Sequence, residues 1–287
     1  MRYHSLETAD LRGKFRYQFS LRTLLVFICI ICIWIGWLSE SARNQRLATE
    51  SILRERGLVK YDYQLRGAIA PRGPEWLRRR LGDDYFCTVV AVTFDFQPWT
   101  VTDAGLQHIG RLPRVRSLDL QRTRITDFGL SKLTGLANLR SLDLERTQIT
   151  GPGLVHISGL RRLEWLSLRG CRVKSCGAAL SALTELRHLD LTNTHLDDDD
   201  VKFLGGLRNL NWLSLGGTDI SDVGLRAIQE ARDLQWLSLG ETHVTDDGLA
   251  SLHKLKRLAY LETGVTQITN TAKERLRKEI RGLKTFP

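Results

Sequence analysis

From Phe94 onward the chain returns to the same residue types every 24 positions, and this constrains its fold more than any other feature. Phe94, Leu118, Leu142, Leu166, Leu189, Leu213, Leu237 and Leu261 head successive copies, with a single step of 23 between Leu166 and Leu189. A clear copy runs Leu139-Arg-Ser-Leu142-Asp-Leu144-Glu-Arg-Thr147-Gln-Ile149. A fixed period of this length builds a solenoid, in which each unit buries its apolar face only against its neighbours. Length then extends the stack instead of thickening one core.

Within a copy, Leu-x-x-Leu-x-Leu alternates as a short strand does, with leucines inward and the intervening residues outward. Neighbouring copies place these strands side by side and parallel, ~4.8 Å apart. Thr123, Thr147, Cys171, Thr194, Thr218, Thr242 and Thr266 follow, where a hydroxyl bonds the backbone of the turn. Ile125, Ile149, Val173, Leu196, Ile220, Val244 and Ile268 return the chain to the interior. Thr126-Asp127, Ser221-Asp222 and Thr245-Asp246 carry the chemistry of a helix start, with a carboxylate near the positive end of the dipole. Gly129, Gly153, Gly177, Gly224 and Gly248 are expected where adjacent helices approach closely. Each unit therefore reads strand, turn, helix, turn, and the stack curves with strands inside.

The outward residues of the strands are where function can be sought. The first column reads Ser117, Ser141, Trp165, His188, Trp212, Trp236, Tyr260. Its last five members predict an aromatic stripe along the concave C-terminal half. The second column reads Asp119, Asp143, Ser167, Asp190, Ser214, Ser238, Glu262, and the third ends in Gly216, Gly240 and Gly264. Exposed contiguous aromatics mark interaction surfaces, and Trp and Tyr dominate binding hot spots. The candidate ligand site is therefore Trp165, His188, Asp190, Trp212, Ser214, Trp236, Ser238 and Tyr260. It suits a protein segment, or a glycan laid on the indole faces. On this reading Trp165, Trp212 and Trp236 are solvent-accessible and dispensable for folding. Aromatic neighbours on adjacent strands also stabilise a sheet, by about 0.2–1 kcal/mol per pair.

Other chemistries find less support. His188, Asp190, Ser167 and Ser214 lie on adjacent strands, but an open sheet supplies no nucleophile turn, oxyanion donors or closed pocket. The chain is read as no enzyme, with no cofactor. The acidic run Asp197 to Asp200 falls at a helix start, where carboxylates are favoured without calcium. Residues 1–81 hold 15 Lys+Arg against 7 Asp+Glu, and the remainder 27 against 25, so the repeats are nearly neutral. That argues against nucleic acid, which needs a basic working surface. Cys29 and Cys32 lie in an apolar run; a bridge between Cys171 and Cys176 is left open by spacing alone.

The N-terminal third divides differently. Residues 1–22 form a short basic tail. Residues 23–39 are uncharged and apolar enough for a transmembrane anchor, with Trp34 and Trp37 at the far interface. Arg12, Lys14, Arg16 and Arg22 outnumber Arg43 and Arg46, which places the N-terminus in the cytoplasm and the repeats outside. Residues 40–57 read as a juxtamembrane helix with a stripe of Ala42, Leu47, Ala48 and Leu53. Residues 58–88 make an N-terminal cap that includes a strand alternating at Val59, Tyr61, Tyr63 and Leu65 and a helix Glu75–Leu81 opened by Pro74. Residues 89–270 hold the repeats, and 271–287 a charged, helical C-terminal cap.

Several segments resemble bacterial membrane-anchored leucine-rich repeat proteins: Phe19-Ser-Leu-Arg-Thr-Leu-Leu25, Tyr61-Asp-Tyr63, Pro74-Glu-Trp-Leu-Arg78, Leu81-Gly-Asp-Asp84 and Thr123–Leu130. The repeat is also similar to that of F-box leucine-rich repeat proteins, though no F-box is present. Asp200 departs from the pattern, where Gly is expected, as does the 23-residue step. The resemblance implies an α/β leucine-rich repeat solenoid after one transmembrane helix and an interaction role at the cell envelope. The function expected is binding of a protein or glycan on the concave face. The alternative is a self-associating envelope scaffold.

Overall fold

The structure is a computed structural model that describes residues 21–94 and 98–286. The basic tail, up to residue 20, lies outside the described residues. The chain divides into two units, 1–41 and 42–287. The first holds the start of helix α1 (Leu21–Arg54), whose residues from Thr23 are long and apolar enough to cross a membrane. A signal sequence meets the same criterion.

In the second unit the rest of α1 lies on the cap. Ala42, Gln45, Ala48 and Ile52 are buried, whereas Leu47 and Leu53, expected in the stripe, are exposed. A polar residue takes the inward place because it is fully used. The Gln45 amide donates to Asp84 Oδ1 and to the Cys87 carbonyl, both at 3.1 Å, and accepts from the Val89 N–H at 3.0 Å. Helix α2 (Glu75–Leu81) follows Pro74 as the sequence predicts. The cap strand is shorter than predicted, and Leu65 is exposed beyond it.

Ten strands form one sheet in chain order: β1 Leu58–Tyr61, β2 Val89–Thr93, β3 Ser117–Asp119, β4 Ser141–Asp143, β5 Trp165–Ser167, β6 His188–Asp190, β7 Trp212–Ser214, β8 Trp236–Ser238, β9 Tyr260–Glu262 and β10 Lys284–Phe286. β1 is antiparallel to β2, and the repeat strands are parallel and in register. Two details differ from the sequence expectation. Val92, not Phe94, faces Leu118, so Phe94 takes the inward place of Leu120 and the first step is two residues longer than the period. The C-terminal helix ends at Glu279, and the chain then adds β10 to the sheet. A pattern of charges hid a strand only three residues long.

The leucines of the repeats are fully buried in one continuous core. The threonine hydroxyls donate to the carbonyl three residues back, as Thr123 does to Leu120 at 2.6 Å. Cys171 keeps that role across repeats: its Sγ donates to the Leu144 carbonyl, and both Cys171 and Cys176 are free thiols.

On the outer side the helix starts carry a second system. Thr126, Ser221 and Thr245 cap their helices, but the adjoining aspartates do not serve their own helix. Each reaches the next repeat: Asp103 accepts from the Thr126 N–H and hydroxyl, Asp127 from Thr150, Asp198 from Ser221, Asp222 from Thr245 and Asp246 from Thr269. Those bonds from Thr269 hold the Asp246 carboxyl below its ordinary range. Gly129, Gly153, Gly224 and Gly248 leave room for these carboxylates, because a Cβ there would overlap the Oδ1 of Asp103, Asp127, Asp198 and Asp222. At these four the expected helix contact is thus a carboxylate notch, whereas Gly177 faces the next helix directly, at the Asp200 carbonyl and the Phe203 ring. At the first repeat the notch of Gly105 is filled from the cap: Glu55 Oε1 and Oε2 stand 2.6 and 2.5 Å from where a Cβ would be, and burial raises the Glu55 carboxyl.

The turn after each of β3 to β9 holds a residue with left-handed backbone: Arg122, Arg146, Gly170, Asn193, Gly217, Glu241 and Val265. Glycine and asparagine tolerate this region, and other residues lose about 1–2 kcal/mol there. Val265, β-branched and 85% exposed, packs little in return. Val265→Asn is expected to raise the thermal midpoint by about 2–4 °C, read by a thermal scan.

Candidate functional site

The sheet sets one outward side chain of each strand beside the next, so the aromatic column becomes a stack. Trp165 and His188 have ring centroids 5.2 Å apart, His188 and Trp212 3.7 Å, and Trp212 and Trp236 4.3 Å, with interplanar angles of 19°, 9° and 3°. The rings therefore stand on edge and lie flat against one another. Solvent access is therefore partial: Trp165, His188, Trp212 and Trp236 are half-buried, because each ring covers its neighbour's face. Tyr260, at 40% exposure, turns instead to Phe286, 6.2 Å away. Phe286 is a member the sequence reading missed; an alternating Lys-Thr-Phe at the end of a charged segment was the available signal.

Beside the stack runs a trough of about 350 Å³. Trp212, Trp236, Ser214 and Ser238 form one side. Gly216, Gly240 and Gly264 leave the other side low, with Asp190, Glu241, Glu262 and Arg169 around it. Ser214 and Ser238 are buried beneath the rings, and the Ser214 and Thr192 hydroxyls bond each other at 2.7 Å. Asp190 Oδ1 accepts from the Thr192 N–H and hydroxyl. The structure thus brings together Trp165, His188, Trp212 and Trp236 as one stack, and Asp190, Ser214 and Ser238 on the trough beside it. It sets Tyr260 apart.

The leucine rich repeat family pattern matches residues 113–173 and 184–244. This is a leucine-rich repeat fold. Internalin C2 of Listeria monocytogenes is similar in structure at 21% identity, over 71% of this chain and 86% of that one, with a TM-score of 0.57. A leucine-rich repeat protein of Leptospira interrogans is similar at 22% identity, over 63% and 51%, with a TM-score of 0.50. At such identities the likeness is one of fold. No curated protein matches the chain in sequence.

Among the described residues the sheet does not join His188, Asp190, Ser167 and Ser214 into one hydrogen-bonded chain. No hydrogen bond joins the His188 ring to Asp190, Ser167 or Ser214 among them, and Ser214 and Asp190 each bond Thr192. The imidazole is held in the stack. In the acidic run each carboxylate turns elsewhere. Asp197 caps its helix, Asp198 holds Ser221, Asp199 pairs with Lys202 and Asp200 accepts from the N–H groups of residues 175–177.

Burial pushes the His188 pKa down to about 4, with Asp190 pulling it back. The unfolded chain then binds more protons than the folded one between about pH 6.5 and 4, so stability attributable to His188 is present above that window and is lost as pH falls through it. Asp143 opposes this: burial, then Asp119 and Glu145, raise it to about 6, so its contribution grows as pH falls below that value. Comparing thermal midpoints of wild type and His188→Gln from pH 7 to 4 isolates the first term. The wild-type midpoint is expected to fall more steeply; parallel curves would show that His188 titrates normally.

Proposed function

We propose that this chain is a non-enzymatic, membrane-anchored interaction module that takes a protein segment on the concave face of its C-terminal half. The observation that carries this is the pairing of an aromatic stack with a glycine-floored trough, confined to strands β5 to β9. The first copies, with Ser117 and Ser141 at the same place, build the same sheet without it. The anchor is α1, whose side chains from Leu24 to Trp37 are largely exposed and apolar. The basic residues before the helix favour a cytoplasmic N-terminus and repeats on the other side of the membrane.

The geometry favours a protein over a glycan. A sugar stacks on a ring face, and here the inner faces are taken by neighbouring rings, leaving only the two ends of the stack. A peptide needs ring edges, polar groups and an open floor, all of which the trough offers.

The test is a photo-crosslinking side chain in the full chain in its native membrane, at Glu241 on the trough rim or at Val223 on the convex side. The proposal expects a heterologous protein joined from position 241, not from 223, and lost on Trp236→Ser. Adducts only to other copies of the chain, or adducts from 223 alone, would favour the self-associating scaffold.

A further inference from the structure

The ring stack stops one strand short of the aromatic column. Trp236 and Tyr260 face each other on β8 and β9, yet among the described residues they make no ring contact. Tyr260 leans towards Phe286, and the Lys284 ammonium stands 5.4 Å from its centroid. Trp212 covers one face of Trp236, so the face turned to β9 has no ring upon it.

Two polar groups lie beside that face, on outward positions opposite each other, Ser238 and Glu262. Ser238 is only 6% exposed, and its hydroxyl has no hydrogen-bond partner among the described residues. The cause is one substitution in the repeat. Thr192 supplies the partner of Ser214, and Gly216 takes the place of Thr192 one repeat later. A Cβ on Gly216 would stand 3.5 Å from Ser238 Oγ, which puts the hydroxyl beside the trough floor. Glu262 is in no ion pair among the described residues. Asp190 and Glu241 add negative charge to the trough, against Arg169 alone on its lining.

We infer that this corner is a seat for the guanidinium of an arginine carried by a partner protein, a conclusion that rests on the concave-face reading above. Its plane lies on the uncovered face of Trp236, while its N–H groups reach the Glu262 carboxylate and the Ser238 hydroxyl. Arginine fits because its planar, weakly hydrated cation stacks on an indole and forks onto a carboxylate at once. A lysine ammonium is a strongly hydrated point charge and does only the second.

The test uses the full chain in detergent micelles with fluorotryptophan, the Trp236 signal being identified by its loss in Trp236→Phe. The probe is the capped peptide Gly-Arg-Gly. It is expected to shift the Trp236 resonance saturably, and the citrulline peptide, equal in shape but uncharged, to bind at least roughly tenfold more weakly. Glu262→Gln is expected to lose a similar factor with an unchanged thermal midpoint. Equal binding by the citrulline or lysine peptide, or by Glu262→Gln, would overturn the assignment. Heterologous crosslinks at position 241 that persist in Glu262→Gln while the arginine peptide fails would sink the arginine seat and leave the concave-face reading standing. Peptide binding without any crosslinked partner would do the reverse.

Discussion

Asp200→Gly, which restores the glycine found at the matching place in six other repeats, is expected to destabilise the protein by about 3 kcal/mol. Asp200 is 6% exposed, and its carboxylate accepts from the N–H groups of Ser175 at 3.1 Å, Cys176 at 2.9 Å and Gly177 at 3.4 Å. Elsewhere the aspartate at the start of one helix fills a glycine notch in the next. The repeat before Asp200 has no such aspartate: its helix starts at Gly177 behind Cys176, and Ser175 has a left-handed backbone. No carboxylate arrives at position 200, so none needs a notch there. The brace runs the other way, from residue 200 back to the loop shortened by the 23-residue step. The two departures from the pattern are therefore one device. Chemical denaturation of Asp200→Gly and Asp200→Asn decides it. Wild-type midpoints in both would show that the loop holds itself.

Gly248→Ala is the second large effect, and its sign opposes helix propensity. Alanine in place of glycine inside a helix is ordinarily worth up to about 1 kcal/mol of added stability. Here the new methyl would overlap Asp222 Oδ1, which accepts from the Thr245 N–H at 2.8 Å while Oδ2 accepts from its hydroxyl at 2.7 Å. A loss of about 2–3 kcal/mol is expected, since either the methyl or the carboxylate must move. Combining it with Asp222→Ala removes the clash. The double variant should therefore lose less than the sum of the singles, by about 1 kcal/mol or more. Strict additivity would mean that Gly248 answers to some other neighbour.

These residues also show where sequence reading reaches its limit. The inward leucines announce their place because period and alternation are local, and the parallel sheet follows from the beat at Leu118 to Leu261. The aspartates at the helix starts are of the type that local capping predicts, so Asp222 looked explained while its actual partner, Thr245, stood 23 residues away. The tryptophan column was legible, but its character was not. Whether indoles lie open or stack face to face is a matter of side-chain rotation and strand spacing, and only the second leaves edges for a ligand. Gln45 was passed over because a glutamine on an apolar stripe reads as noise until its three partners from the cap are seen. Val92 and Phe94 both alternate inward, so the first register was ambiguous by two.

The reversed brace also has a mechanical meaning. From Asp103 to Thr150, and again from Asp198 to Thr269, side-chain bonds tie each outer turn forward to the next. Between them lie two junctions without such a tie, because Gly151 and Ser175 stand where the aspartates would be. The second is held on the outside by Asp200 reaching back and by the exposed Lys174–Asp197 pair, and on the inside by the Trp165–His188 stack. The forward ties between the cap and the trough are thus interrupted over these two repeats. The proposed ligand site lies almost wholly on the far side of that interruption.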